Sequence, residues 1–219
     1  MDSSVEALLP STAGAPAWPV VWVLDDDAAV RAALARLLRA TALTVETFGT
    51  AGELLDRLRA QRPQCLVLDL ALPEVTGLEL QHLLLDRGEP IPIVFVSGSG
   101  SVAGSVEAMK KGAVDFLLKP VDSDALLGAV MRGLALEERW REAREAQAEA
   151  NRLVEKLTPR EREVLVHVAQ GKSNKRIASE LGTSEKTIKV HRGRLMHKLG
   201  ARSVVDLVHL TERVGMAVA

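Results

Sequence analysis

The chain has 219 residues, of which 47% are hydrophobic and 26% charged, and its 28 Lys and Arg nearly balance its 29 Asp and Glu. The single cysteine, Cys65, excludes a disulfide framework and a cysteine-based zinc site. No apolar run approaches the roughly 20 residues of a membrane span, and the N-terminus lacks the pattern of a signal peptide, so we expect a soluble cytoplasmic protein.

The near-neutral total hides a division of charge along the chain. From Leu157 to the C-terminus there are 12 Lys and Arg against 6 Asp and Glu, a net charge of +6. Residues 1–156 hold 16 and 23, a net charge of −7. An acidic front and a basic rear predict two domains with different partners. Residues 1–17, rich in Ala, Ser and Pro and without a hydrophobic period, are predicted to form a disordered tail.

Five short apolar runs in residues 18–135 indicate β-strands. They alternate with segments of helical period, such as the one over residues 30–38. Strands that are apolar throughout and alternate with helices are typical of a parallel sheet covered on both faces. This pattern predicts an α/β domain of the flavodoxin-like (βα)5 type, with strand order 2-1-3-4-5. The runs are Pro19–Leu24, Thr44–Phe48, Cys65–Leu70, Ile91–Ser97 and Val114–Leu118.

Polar side chains follow several of these strands. Asp25, Asp26 and Asp27 come directly after the first strand, and Asp69 ends the third. Ligands of such sheets bind beyond the carboxyl ends of the strands, so these carboxylates are expected to converge. Clustered carboxylates repel one another unless a cation bridges them, and oxygen-only ligands suit Mg²⁺.

The same rim of the sheet carries Ser97 at the end of the fourth strand and Lys119 at the end of the fifth. A carboxylate in this setting can accept a phosphoryl group covalently. Lys119 would supply a positive charge for the phosphoryl oxygens, and the Ser97 hydroxyl one hydrogen bond. Side chains of these types at the ends of four strands therefore predict a phosphoryl-transfer site.

Four motifs of the front half resemble those of a response-regulator receiver domain: Val23–Asp27, Leu68–Pro73 with Gly77, Val96–Gly98 and Asp115–Pro120. The resemblance implies that a partner histidine kinase phosphorylates Asp69. It also implies that Asp26, Asp69 and the backbone carbonyl of Ala71 hold Mg²⁺, with Asp25 assisting through water.

The resemblance further implies how phosphorylation acts. Ser97, which stands where Thr is commoner, would be drawn towards the phosphoryl group. Phe116, at the position of a switch aromatic, would swing inward to fill the vacated space. The surface over residues 100–119 resembles the dimerisation face of the family, so phosphorylation is expected to promote a homodimer.

An enzyme class stays open as an alternative. The hydrophobic strand followed by Asp25 and Asp27 also fits the haloacid-dehalogenase-like phosphohydrolases, with Asp25 as nucleophile and Asp27 as acid. Ser97 and Lys119 would then fill the later motifs of that family. This interpretation leaves Asp69 without a role and offers no cap domain for a substrate.

A helical pattern begins after Asp122 and runs past the front domain. Residues 136–156 are nearly all strong helix formers, which predicts a helical linker. Apolar and small side chains follow one another at spacings of four and three, as in a short heptad seam. A coil between two copies and a solvated spacer both remain open. The seam residues are Leu136, Trp140, Ala143, Gln147, Ala150, Val154 and Leu157.

The rear domain, residues 157–219, is predicted to be all helical. A capping box with Pro at the first helical position starts at Thr158, and Gly171, Gly182 and Gly200 each follow a periodic segment as a C-terminal cap does. The second and third helices are spaced as a helix-turn-helix. The four predicted helices lie at 159–169, 174–181, 185–199 and 204–214.

The third of these helices has one apolar and one basic face. Ile188, Leu195 and Leu199 are predicted to face inward, with His191 packed at the edge of this stripe. On the opposite face Val190 can set a methyl group against thymine, while Lys and Arg neutralise phosphates or donate to guanine. The predicted DNA-contacting residues are Lys175, Lys186, Lys189, Val190, Arg192, Gly193 and Arg194.

The last predicted helix leaves two interpretations open. Val204, Leu207 and Val208 lie on one side of it at helical spacing. This side either forms a second contact between two DNA-bound domains or packs on its own domain. The pattern fits both equally well.

The rear domain strongly resembles the LuxR-type DNA-binding domain in its motifs over 157–165, 174–178 and 187–192. Together with the receiver motifs, the chain is identified as a member of the NarL/FixJ family, similar to its FixJ-like branch. This resemblance implies a transcriptional regulator, and not an enzyme, that binds double-stranded operator DNA as a dimer and has RNA polymerase as a further partner. The family's base-reading residues correspond to Lys189 and Val190. A constitutive LuxR-type regulator that needs no phosphorylation remains an alternative.

Overall fold

The structure is a computed structural model that describes residues 19–88, 90–98 and 102–216. The tail predicted at residues 1–17 therefore lies outside the described residues. The chain divides into two compact units between Arg139 and Trp140. In the part of the chain that the structure describes, no helix is both long enough and apolar enough to cross a membrane.

The first unit is built on a parallel sheet of five strands in the order β2-β1-β3-β4-β5, which confirms the predicted fold class and strand order. The three inner strands are buried along their whole length because helices cover both faces of the sheet. The strands are β1 Val20–Leu24, β2 Thr44–Phe48, β3 Cys65–Asp69, β4 Ile93–Ser97 and β5 Asp115–Leu118.

The helices of this unit cover two apolar clusters, one on each face of the sheet. Alternate residues of β1 show the division: Trp22 and Leu24 pack in one cluster, and Val21 and Val23 in the other. The helices are α1 Ala28–Arg39, α2 Ala51–Leu58, α3 Gly77–Asp86, α4 Val102–Lys110 and α5 Ser123–Glu155.

Helix α5 lies close against β3 at Gly133. A Cβ atom at this position would come within 2.8 Å of the Cys65 Sγ atom, so only glycine permits this approach without a shift. Cys65 is fully buried, and burial raises the pKa of its thiol to about 12. The thiol is therefore a packing group and not a reactive one.

Helix α5 also confirms the helical linker, since it runs without a break to Glu155. The end of the predicted seam packs within the chain. Val154 and Leu157 belong to the apolar core of the second unit, and Ala150 is 5% exposed. A coil between two copies is therefore disfavoured from Ala150 onward. The linker limits at 136 and 156 stay a prediction.

The second unit consists of the end of α5 and further helices packed around one apolar core. The predicted helices are confirmed, with the second and fourth ending one residue earlier than expected. Leu181 and Val214 are instead the C-terminal caps. The helices are α6 Pro159–Ala169, α7 Asn174–Glu180, α8 Glu185–Leu199 and α9 Val204–Arg213.

For the side of the last helix that was named, the structure favours packing on its own domain, and a second contact between DNA-bound domains stays a prediction. Leu207 is fully buried in the core of the second unit, and Val204 packs against the same cluster. These side chains pack on their own domain because they complete its core. The exposed apolar side chain of α9 is Val205, which is 59% exposed.

Candidate functional site

The predicted acidic residues meet at the carboxyl end of the sheet. Oxygen atoms of Asp25, Asp26 and Asp69 all lie within 4.8 Å of one another. Asp25 and Asp69 are buried, at 1% and 5% exposure, and Asp26 is exposed. Because β1 and β3 are neighbours, their ends bring these side chains together although 43 residues separate Asp26 from Asp69 along the chain.

Lys119 connects two of the carboxylates. Its Nζ atom lies 2.7 Å from Oδ2 of Asp25 and 2.7 Å from Oδ2 of Asp69. Burial lowers the pKa of Lys119, but the hydrogen bonds and charges of the two aspartates outweigh it and leave the pKa above its ordinary value. Burial also raises the pKa of Asp25, against the hydrogen bonds from Lys119 and from the Asp27 N–H. The lysine therefore stays charged between two carboxylates.

Asp69 is held by its own loop and by the start of α3. The N–H of Ala71 donates to Asp69 Oδ1 over 3.2 Å. The N–H of Gly77 donates to the carbonyl of Leu70 over 2.9 Å, and a Cβ at Gly77 would lie 2.5 Å from the Asp69 carbonyl oxygen. Glycine at 77 thus lets α3 begin against the loop that carries Asp69.

Asp27 does not join the cluster. Its Oδ1 atom accepts hydrogen bonds from the N–H groups of Ala29 over 2.7 Å and Val30 over 3.2 Å, so it is the N-terminal cap of α1. The Val30 and Ala29 hydrogen bonds lower the pKa of Asp27 below its ordinary value. A general acid needs a pKa near the working pH, so this geometry disfavours the phosphohydrolase interpretation.

Ser97 lies at the end of β4, as predicted, and Phe116 lies in β5. Ser97 is fully buried at the end of β4, and its carbonyl accepts a hydrogen bond from the Lys119 N–H over 2.8 Å. The half-buried ring of Phe116 packs against Phe95, with ring centroids 6.3 Å apart. Ser97 is therefore tied through the main chain to the residue that contacts Asp69.

The donor set of the cluster fits a hard divalent cation. Its side-chain ligands are carboxylate oxygens, and they lie close enough to share one ion. Two of the carboxylates are buried beside each other, which is costly without nearby positive charge. Lys119 supplies part of that charge, and a bound cation would supply the rest.

The predicted DNA-contacting face of α8 is exposed. Ile188, Leu195 and Leu199 face the core as expected, at 6% exposure or less. Val190 is 47% exposed among charged neighbours, and a side chain at Gly193 would meet open space. Of the predicted DNA-contacting residues, those that are exposed are Lys175, Lys186, Lys189, Val190, Gly193 and Arg194.

Arg192 and His191 differ from this group because both are half-buried. Arg192 Nη1 donates to Asn174 Oδ1 over 3.2 Å, which joins α8 to the start of α7. His191 lies at the edge of the inward stripe, and its Nδ1 atom is buried. Arg192 therefore also has a structural role in holding the helix pair.

An ion pair between a half-buried lysine and a buried glutamate, not foreseen from the sequence, joins α8 to α6. Lys198 Nζ lies 2.6 Å from Glu161 Oε2, and the Glu161 side chain is 3% exposed. The N–H of Thr158 donates to the same Glu161 oxygen over 2.9 Å. The Lys198 hydrogen bond, followed by that of the Thr158 N–H, lowers the pKa of Glu161 from 4.5 to about 2.

The Glu161 carboxylate is expected to make the second unit sensitive to acid. Because the folded pKa lies below the unfolded one, its stabilisation is complete above pH 4.5 and is lost as the pH falls towards 2. Glu161→Gln is expected to lower the free energy of unfolding by about 2–3 kcal/mol at pH 7, and by much less near pH 2. Urea unfolding over this pH range, followed by circular dichroism, measures both effects.

Glu163→Gln is the matched control for that prediction. Glu163 lies on the same helix and pairs with Arg160 at 2.6 Å, but its side chain is 51% exposed. Its removal is expected to cost less than about 1 kcal/mol, because exposed ion pairs contribute little. Equal losses in the two variants would contradict the role assigned to Glu161.

The sequence matches two protein-family models, one for each unit. Residues 21–131 match the response regulator receiver domain, and residues 155–211 match the LuxR family of bacterial regulatory proteins. The response regulator protein TodT of Pseudomonas putida is 43% identical over 195 residues, which cover 89% of this chain and 86% of TodT.

Two solved structures are also similar, and the second is of a full-length protein. That of the response regulator StyR has a TM-score of 0.76 at 44% identity, and the match covers 90% of this chain and 99% of StyR. That of FixJ from B. japonicum has a TM-score of 0.56 at 37% identity, and it covers 91% of this chain and 98% of FixJ. The similarity thus extends over both units.

Proposed function

The chain belongs to the NarL/FixJ family of two-component response regulators, with a receiver domain followed by a LuxR-type DNA-binding domain, and we propose that phosphorylation of Asp69 controls its binding to DNA. The observation that carries this proposal is the convergence of Asp25, Asp26 and Asp69, the first and last of which pair with Lys119. The phosphodonor is a histidine kinase, the partner that a receiver domain implies.

The phosphoryl transfer follows from the chemistry of these groups. A carboxylate oxygen of Asp69 attacks phosphorus, the O–P bond forms, the P–N bond of the phosphohistidine breaks, and the imidazole leaves with its electron pair and takes up a proton. Asp25, Asp26, Asp69 and the carbonyl of Ala71 would hold Mg²⁺. When bound, the ion neutralises the carboxylates and the oxygens of the incoming group.

Lys119 gives the site its second cation. Before transfer it pairs with Asp25 and Asp69, each at 2.7 Å. After transfer the same ammonium group lies within reach of the new phosphoryl oxygens, and the Ser97 hydroxyl donates to another. Phe116 moves into the space that the Ser97 side chain vacates. These shifts repack the neighbouring α4 and β5.

The surface of α4 and β5 is the proposed dimer contact. Among its described side chains, the large apolar groups Val106, Met109 and Leu118 are each between 46% and 56% exposed. Burying them against a second copy favours association once the surface has repacked. A dimer presents two copies of α8 to half-sites about one helical turn apart.

The DNA-binding step rests on the charge and shape of α8. Lys186, Lys189 and Arg194 neutralise phosphates or donate to base edges, and Val190 contacts a thymine methyl group. The net charge of +6 from Leu157 onward favours this contact. RNA polymerase is the further partner through which a bound dimer would regulate transcription.

The test is the intact mass of the full chain after treatment with acetyl phosphate, with and without Mg²⁺. We expect a gain of one phosphoryl group that depends on Mg²⁺ and is lost on mild alkaline treatment, as an acyl phosphate is. No gain under either condition would contradict the proposal. A gain that is independent of Mg²⁺ would remove the role given to the acidic cluster.

A further inference from the structure

We propose that Arg31 is a positioning residue for the cation site, because it holds the main chain from which Asp25 and Asp26 project. The inference rests on the proposed function, since it assigns a role towards the same Mg²⁺ ion. Nothing in the amino-acid sequence marks this arginine. It lies in the first turn of α1, three residues inside the helix.

The contacts of Arg31 reach back over the start of its own helix. Its Nη1 atom donates to the carbonyl of Asp25 over 2.6 Å and to the carbonyl of Asp26 over 3.3 Å. Both carbonyls belong to the loop between β1 and α1, outside the sheet ladder and the helix. The guanidinium also lies against the β2–α2 loop, since a Cβ at Gly49 would be 3.7 Å from Nη1.

The remaining contacts of this loop explain why the arginine matters for the carboxylates. The N–H of Asp25 donates to the Phe48 carbonyl over 3.3 Å, and the N–H of Asp27 donates to Asp25 Oδ1 over 3.0 Å. The Asp26 side chain is exposed, and its main chain sets the direction in which the Cα–Cβ bond leaves the loop. Arg31 donates to the peptide groups on both sides of the Asp26 Cα atom and thereby fixes that direction.

Arg31 has two opposite effects on the affinity for the cation, so a measured affinity shows which of them is larger. As a positive charge beside the cluster, Arg31 repels a divalent cation, so its removal should tighten binding. As a group that prearranges the ligands, Arg31 favours the cation, and loss of such outer support typically costs 10–100-fold in metal affinity. We infer that the second effect is larger.

The experiment measures Mg²⁺ affinity of the full chain by isothermal titration calorimetry. Arg31→Ala is expected to weaken Mg²⁺ binding about tenfold, and Arg31→Lys, which keeps the charge but not the forked donor, about threefold. The control is Arg39→Ala. Arg39 is on the same helix and its Nη2 atom donates to the Val45 carbonyl over 2.9 Å, but at the other end of α1. Arg39→Ala is expected to leave Mg²⁺ affinity unchanged.

Phosphorylation by acetyl phosphate gives a second readout that a purely structural role would not move. In Arg31→Ala the Mg²⁺ concentration for half-maximal rate should rise about tenfold, while the rate at saturating Mg²⁺ stays close to that of the wild type. Urea unfolding without Mg²⁺ compares the stability of Arg31→Ala with that of Arg39→Ala, because each variant loses a side chain that donates to main-chain carbonyls.

The outcomes separate this inference from the function on which it rests. A wild-type protein that does not bind Mg²⁺ contradicts the proposed function itself. A wild type that binds Mg²⁺, with Arg31→Ala binding it equally or more tightly, overturns the positioning role alone. If Arg31→Ala does not fold, Arg31→Lys decides, and affinity equal to the wild type overturns the inference.

Discussion

Asp69→Asn is expected to abolish the phosphoryl gain from acetyl phosphate and Mg²⁺ and, with it, any dimerisation that phosphorylation causes. The amide of asparagine keeps the size of the carboxylate but has no anionic oxygen to attack phosphorus. The substitution also removes one of the two carboxylates that Lys119 contacts at 2.7 Å. Asp25 still pairs with Lys119, so the receiver domain should fold.

Intact-mass measurement and size-exclusion chromatography of the treated protein check this expectation. The matched control is Asp27→Asn. The Asp27 carboxylate follows Asp26 directly in the chain, but it caps α1 and does not pair with Lys119 as Asp69 does. Asp27→Asn is expected to gain the phosphoryl group. If Asp69→Asn gains a phosphoryl group, the acceptor is another residue. If Asp27→Asn is the one variant that fails to gain it, the phosphohydrolase interpretation is favoured again.

Lys189→Glu is expected to have the second largest effect, a loss of DNA affinity of about 100-fold or more. Lys189 is exposed on the face of α8 that also carries Val190. A base-edge or phosphate contact contributes about 1–3 kcal/mol, and a dimer loses it twice. Reversal of the charge adds repulsion from the phosphates, which should also lower the salt dependence of binding.

The affinity is measured by fluorescence anisotropy on duplexes that the phosphorylated wild-type protein selects from a random pool. Arg213→Glu is the control, because Arg213 is also exposed and basic but lies in the last turn of α9. That variant should bind the selected duplexes within about threefold of the wild type. Equal losses of DNA affinity in both variants would mean that α8 contributes only positive charge and no specific contact. Equal affinity of the wild type with and without phosphorylation would favour the constitutive regulator.

Much of the receiver fold is contained in local patterns of the sequence. Strands buried on both faces are apolar along their length, as residues 65–68 of β3 are, so their runs show where the strands lie. The carboxyl ends of parallel strands share one edge, which is why the convergence of Asp26 and Asp69 could be predicted. Helix starts in the second unit were predictable for a similar reason, since capping side chains such as Thr158 and Ser184 are local signals.

What the sequence did not reveal depends on contacts between distant residues or on direction around a helix. Glu161 is visible as part of a capping box, but its partner Lys198 lies 37 residues away. Arg31 is one of several arginines on α1, and nothing local distinguishes it from Arg39, which contacts β2 and not a loop. Leu207 was assigned to the correct face of α9, but spacing alone could not tell whether that face met its own core or another copy.

The last turns of α5 have a consequence for how the DNA-binding domain can be isolated. Val154 and Leu157 lie in its apolar core, and Ala150 is buried beside them. A recombinant fragment that begins at Leu157 would omit Val154 and open one side of that core to water. A fragment that begins at Trp140, where the second compact unit starts, retains these turns. Protease cleavage within residues 150–157 should likewise release a less stable fragment than cleavage before them.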